Sequence, residues 1–333
     1  MIDKNKYVED LRDQVEVVQG QNLSGLSDFR NAASTEAYKE ALRNVAAISS
    51  PEDVGKAIAL LQDKQQDISV REEILQKTVS AIGENPEYIR ICLRILSDGT
   101  EPITLRKAAL GLLKTLSFSS RTFVSVRSEY MVVLRSLLDE PEDSLREMAA
   151  EELSKYKDEF VQRRLLSGLL RQETPTVTDA KAIQLLGYDI HAEHYPVVRR
   201  LLESPDSDNV TKLEAIHVLA NDPEAKSLLM NLVLDKEQDR ELRMSSAMAL
   251  QSGHPRDFTQ MAKTLVLDES ENKDVRSVLL NALTLVHPVE KVGLHEDRQF
   301  LEEVSRLHTS TTSPELKKMS SRYLENVRKQ REQ

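Results

Sequence analysis

The side chains able to do chemistry in this chain are few and dispersed. Seven histidines and one cysteine are present. His191 and His194 lie three apart with Glu193 between them. On one helix face such a pair could hold a borderline metal. The pair falls instead in a predicted turn between Tyr188 and Pro196, so it reads as a solvated turn, and no metal site is expected. Cys92 sits in the apolar helical run Ile89-Arg90-Ile91-Cys92-Leu93 and reads as a buried small hydrophobe rather than a nucleophile. A lone cysteine also excludes a disulfide-stapled secreted fold. No Gly-rich phosphate loop, Gly-x-Ser-x-Gly, His-Glu-x-x-His or cysteine cluster occurs. Asp and Glu number 55 in 333 residues, so neighbouring carboxylates are expected as solvated helix faces. Neither a catalytic set nor a cofactor is expected.

Charge and composition narrow the partners. Lys and Arg number 45, for a net charge of −10. A surface built to follow phosphate backbones is usually basic. Aromatic residues make up 4% and Trp is absent, so platforms for stacking bases are scarce. Nucleic acid is therefore not an expected partner. No run approaches 18 apolar residues, and Met1 to Val18 is charged throughout without the apolar core of a signal peptide. No membrane insertion and a cytoplasmic location are expected. The sequence is equally compatible with a soluble piece of a longer protein.

What holds the side chains in place is repetition. Gly (10) and Pro (11) are sparse, which favours helices joined by short turns. An aliphatic-Arg pair recurs as Val70-Arg71, Leu105-Arg106, Leu145-Arg146, Leu242-Arg243 and Val275-Arg276. Degenerate copies stand at Thr178-Asp179, Thr211-Lys212 and Leu316-Lys317, with spacings of 31 to 41 residues. Three positions after the Arg slot come Ile74, Ala109, Ala149, Ala182, Ala215, Ser246, Leu279 and Ser320. Seven positions after it come Thr78, Leu113, Leu153, Leu186, Leu219, Leu250, Leu283 and Leu324. These two positions share one face of a helix, so they form a buried stripe. Before each copy runs a second helical pattern that ends in paired aliphatics such as Ile95-Leu96 and Val266-Leu267. Each unit is thus helix, turn, helix, turn.

The phrase Leu105-Arg106-Lys107-Ala108-Ala109-Leu110-Gly111-Leu112-Leu113, preceded by Ile95-Leu96-Ser97-Asp98, resembles the HEAT repeat, in particular its bacterial HEAT-like form. The resemblance covers roughly residues 52–330. It implies an all-α fold, a right-handed alpha-alpha superhelix of about eight helical hairpins, with second helices on the inner face. Residues 1–51 are expected to supply N-terminal helices, a linker and a cap. Within them, 4–18 and 36–49 read as helices, and 19–34, with Gly20, Asn22, Ser24, Gly25 and Ser27, reads as a linker or extended arm. Residues 288–296 read as a longer connector. HEAT-like families also include deoxyhypusine hydroxylases, with several His-Glu dipeptides, alkylpurine DNA glycosylases, with basic grooves, and phycobilin lyases. This chain has the single dipeptide His295-Glu296, an acidic balance and no residues that identify a bilin site.

In the HEAT family an Asp in the turn pairs with the Arg that opens the second helix. Asp63 and Arg71, Asp98 and Arg106, Asp235 and Arg243, and Asp268 and Arg276 are each eight apart. Asp139 and Arg146 are seven apart, and Arg171 and Asp179 repeat the spacing with signs exchanged. These pairs are expected to bridge each turn as a structural ladder.

The expected binding surface lies one, two and five positions after the Arg slot. Early units place polar residues there, such as Glu72, Glu73 and Gln76. Later units place Leu213 and His217, then Met244 and Met248, then Val278 and Asn281. A low-charge strip with two methionines suits an adaptable peptide or helix groove. The competing reading makes Met244 and Met248 core residues packed against Met261. The function expected is a non-enzymatic scaffold or adaptor that presents a curved helical surface to a protein or peptide. The alternative is a HEAT-like enzyme or lyase-like enzyme accessory that uses the same groove.

Overall fold

The structure is a computed structural model that describes residues 25–189, 192–285 and 297–331. The expected helix at 4–18, the connector at 288–296, His191, His287 and His295 lie outside the described residues. All regular structure among the described residues is helical. Two compact units divide between Tyr156 and Lys157.

In the first unit a helix over 25–31 (α1) is followed by α2 (Thr35–Asn44), α3 (Pro51–Gln62), α4 (Ile68–Lys77), α5 (Val79–Glu84), α6 (Pro86–Ser97), α7 (Ile103–Ser119), α8 (Arg127–Ser136) and α9 (Asp143–Lys155). The second unit contains α10 (Glu159–Leu169), α11 (Asp179–Leu186), α12 (Tyr195–Glu203), α13 (Asn209–Leu219), α14 (Lys226–Leu234), α15 (Arg240–Gly253), α16 (Pro255–Leu267), α17 (Lys273–Leu285), α18 (Arg298–Ser310) and α19 (Pro314–Arg331). Paired from α3 onward, with α5 a short continuation, these make eight hairpins. Within the second unit, α11, α13, α15, α17 and α19 pack on one another in succession, each also packed on the first helix of its own hairpin. In the first unit α2, α4 and α7 pack in succession, with α4 also on α3 and α7 on α6.

Local sequence sets the helix starts. Ser34, Ser50, Asp67, Asn85, Asp158, Thr178, Asp208, Asp239 and Asp297 each accept a backbone N–H of the first turn. Such caps contribute about 1 kcal/mol apiece. Packing then follows the repeat. Every residue three after the Arg slot, from Ile74 to Ser320, is buried. Seven after it, Thr78 through Leu283 are buried, while Leu324 is half-buried and Tyr323 takes the inner place on α19.

Residues 25–31 depart from the expected linker and form α1. Phe29 is fully buried and meets Tyr38 edge-on at 5.9 Å. Arg30 donates to both carboxylate oxygens of Asp53, at 2.6 and 2.7 Å. These contacts reach across the sequence and override the loop-like composition.

At four rungs the turn ladder takes a different pairing from the expected one. Arg71, Arg106, Arg243 and Arg276 each donate Nε to a carbonyl ten residues earlier, those of Leu61, Leu96, Val233 and Val266, at 2.8 to 3.0 Å. These are last-turn carbonyls of the preceding helix, which lack intrahelical donors. The terminal nitrogens of three of these arginines then pair with a glutamate of the next hairpin's turn. Arg71 holds Glu101 at 2.7 and 2.8 Å, Arg106 holds Glu140 at 2.6 and 2.8 Å, and Arg243 holds Glu271 at 2.9 and 2.6 Å. Asp63, Asp98, Asp235 and Asp268 do not bridge to these arginines. Each accepts the backbone N–H two residues on, closing its own turn. Asp98 and Asp268 also receive Lys64 and Lys236 from the preceding hairpin, at 2.6 and 2.8 Å. The reason is direction: a side chain in the first turn of a helix leans back toward the helix start, over the carbonyls of its neighbour. Arg146 turns onto its own loop, donating to the carbonyls of Glu140 and Pro141 and to the Asp143 carboxylate. The exchanged pair forms as expected, Arg171 holding Asp179 through two bonds of 2.8 and 2.6 Å.

Candidate functional site

The low-charge strip rests on α13, α15 and α17, three helices packed side by side in the second unit. Leu213 and His217 stand on α13, Met244 and Met248 on α15, Val278 and Asn281 on α17. Leu213, Met244, Val278 and Asn281 are half-buried, and His217 is exposed. Met248 is 39% exposed, whereas Met261 on α16 is buried in the core. Neither strip methionine is fully enclosed. One bond fixes the lateral register: Arg322 on α19, five after its own slot, donates to the Asn281 side-chain oxygen at 3.3 Å. Asn326 adds a bond to the Thr284 carbonyl at 3.3 Å. Asn281 and Arg322, each five after its slot, therefore stand next to one another across α17 and α19.

The same positions in the first unit are polar and partly engaged. Lys107 reaches Glu142 at 3.5 Å, and Glu151 pairs with Lys155 at 2.6 Å. Ala108 and half-buried Met148 share these positions with Glu72, Glu73, Lys107, Glu147 and Glu151, so this face of the first unit carries more charge than the strip of the second. The strip's elements can grip a hydrophobic helix face. Among the described residues its one acid–base pair is His217 and Glu214, 3.9 Å apart on one helix.

Two buried polar sites were not read from the sequence. His194 does not lie in a solvated turn: it is 5% exposed, its Nε2 has no hydrogen-bond partner, and it meets Tyr195 edge-on at 4.7 Å. Burial pulls its imidazole below the usual range, against the fields of Asp189 and Asp222. It lines a cleft of about 610 Å³ with Lys157, Gln162, Arg163 and Asp189. In the first unit Glu152 is fully buried, with neither carboxylate oxygen hydrogen-bonded and Lys114 at 3.8 Å. Burial raises its carboxyl above the ordinary range, outweighing the attraction of Lys114. The phenol of Tyr130 is pushed up by burial and then by the Glu152 charge. His194 lies in the turn before α12 and Glu152 within the charged helix α9, and periodicity distinguishes neither from an ordinary surface position. Cys92 is buried, and that burial pushes its thiol up to about 12. No group of three metal-ligating side chains gathers among the described residues.

No family model matches the chain, and no curated protein matches it. Among solved structures it is similar to the complex of CpcE and CpcF of phycocyanin lyase from Nostoc sp., at 16% identity over 84% of this chain and 95% of that chain, with a TM-score of 0.38. It is also similar to human deoxyhypusine hydroxylase in complex with glycerol, at 14% identity over 84% of this chain and 96% of that one, with a TM-score of 0.32. Likeness at this level carries no argument about activity.

Proposed function

We propose that the chain is a HEAT-type, non-enzymatic scaffold whose second-helix strip docks an amphipathic helix of a protein partner. In this reading residues 52–330 are the repeat array and residues 1–51 precede and cap it. Leu213, His217, Met244, Met248, Val278 and Asn281 form the partner-facing set, and the setting is cytoplasmic. The carrying observation is Met248, exposed beside half-buried Met244, Leu213 and Val278 on packed helices. Methionine adapts its shape to varied apolar partners, and a preformed row of helices loses little entropy on binding. No helix of the described residues is long and apolar enough to cross a membrane.

The enzyme or lyase-like accessory reading would draw on His194, the buried imidazole beside an open cleft. That residue stands in the turn before α12 and on none of the strip helices. The strip itself offers binding surface rather than a reactive set.

The test is a double substitution, Met244→Glu with Met248→Glu, compared with Thr264→Glu on the exposed side of the first helix α16. Quantitative affinity purification should lose its enriched partner for the double variant and keep it for Thr264→Glu. Retention of the same partner by both variants, with unchanged thermal unfolding, refutes docking at the strip.

A further inference from the structure

Three arginines of the turn ladder hold glutamates, and a fourth keeps the same pose with nothing to hold. Each ladder arginine is the fourth residue of its helix: Arg71 in α4, Arg106 in α7, Arg243 in α15, Arg276 in α17. The acceptor for the first three comes from the following hairpin, just before its second helix. Glu101 and Glu271 stand two residues ahead of α7 and α17, and Glu140 three ahead of α9. Where the preceding hairpin has no arginine in that place, the acceptor position is neutral. Gln66 follows Tyr38 of α2, and Gln238 follows Lys212 of α13. Acid and arginine are thus matched at each of these rungs.

Arg276 breaks the match. The position two ahead of α19 is Thr312, and the turn reads Thr311-Thr312-Ser313. Arg276 still donates Nε to the Val266 carbonyl at 2.8 Å and remains only 6% exposed. Its terminal nitrogens make no hydrogen bond or ion pair with any described residue. Nearby Glu269, Asp268 and Glu271 contribute only at a distance, and Glu271 is already committed to Arg243. Arg146, in the same place on α9, takes another pose, donating to the carbonyls of its own turn with its side chain 22% exposed. Arg276 does not take that pose. The side chain is held in place by burial and by its Nε bond, its terminal nitrogens keep contact with solvent, and its planar fork suits two-point recognition of a carboxylate.

We propose that Arg276 is a receptor for a carboxylate supplied from outside the turn ladder, bound through both terminal nitrogens in the place that glutamate fills at the other rungs. The turn Asp beside it is no obstacle, since Asp98 stands in the same relation to Arg106, which binds Glu140. The exposed Thr312 is small enough to leave the approach open. This inference does not depend on the strip.

Thermal unfolding of the full chain is measured at constant ionic strength, with sodium chloride exchanged for acetate or malonate. A second arm uses the end-blocked peptides Ala-Glu-Ala and Ala-Gln-Ala. Wild type should gain a few degrees, saturably, with the carboxylates. A response to malonate and acetate alone identifies a free carboxylate as the source, and a response to the Glu peptide over the Gln peptide identifies a protein side chain. Thr312→Glu should raise the midpoint unaided and abolish the response, and Arg276→Met should abolish it without an internal replacement. The proposal fails if wild type shows no carboxylate-specific shift, or if Arg276→Met responds as wild type does.

Discussion

Arg243 joins two hairpins with a single side chain. It bonds the Val233 carbonyl through Nε and a terminal nitrogen, at 3.0 and 2.8 Å, and grips Glu271 of the next turn, itself 4% exposed. Truncation would strand a buried carboxylate. Arg243→Ala should therefore cost about 3–5 kcal/mol. Arg276→Ala strands no acid, so its cost should be about 1 kcal/mol or less, near that of one hydrogen bond. Urea unfolding of both variants checks the contrast, and equal losses would contradict the ladder pairing. Acid should act through the same groups. Bonds from Arg106 hold Glu140 below the ordinary carboxylate range, and at Glu271 the bonds from Arg243 and Asn272 outweigh the upward push of burial. Carboxyls depressed in the folded state contribute stability above their unfolded value of about 4.3 and lose it as pH falls below. Glu152 has the opposite sign: its raised carboxyl takes stability away as pH rises through the unfolded value. Glu152→Gln should stabilise the protein by about 1 kcal/mol at pH 7, and the gain should vanish near pH 4. Melting curves across that range test it. Which acid each arginine takes was not legible from spacing. The eight-residue interval marked the right arginines but not their partners, because the acceptor sits about 30 residues away in the next hairpin.

Helices, unlike partners, could be read locally. The Pro-acidic starts Pro51-Glu52-Asp53 and Pro86-Glu87 marked their helices, and the small residues at Ala109, Ala149 and Ala215 marked the close faces. Helix α1 was hidden because Gly25 and Ser27 resemble a loop, while the contacts that secure it, Phe29 on Tyr38 and Arg30 on Asp53, are tertiary. Close approach also sets a limit at the end of α15. A Cβ added at Gly253 would lie 2.0 Å from the Ala220 carbonyl oxygen at the end of α13. Alanine is normally the better helix former. Here Gly253→Ala should destabilise by about 1–3 kcal/mol, because the two helix ends must separate. A midpoint equal to or above wild type in thermal unfolding would show that the helix ends are not in contact.

For the whole molecule, the hairpin repeat was visible in the sequence, but the division between Tyr156 and Lys157 was not. No composition change marks it, since the repeat runs across it. The six strip residues followed from counting outward from the arginine slot, and Met248 is exposed where that count places it. The isolated buried groups His194 and Glu152 escaped, because their burial depends on neighbours that the repeat does not specify. The proposed function places a protein partner on the second-helix strip. A photoreactive amino acid placed at Met248, and separately at Thr264, tests this most directly in cells. The account predicts a discrete cross-linked adduct from position 248 that disappears when Met244→Glu is added, with none from position 264. Absence of an adduct at 248, or the same adduct from both positions, contradicts it.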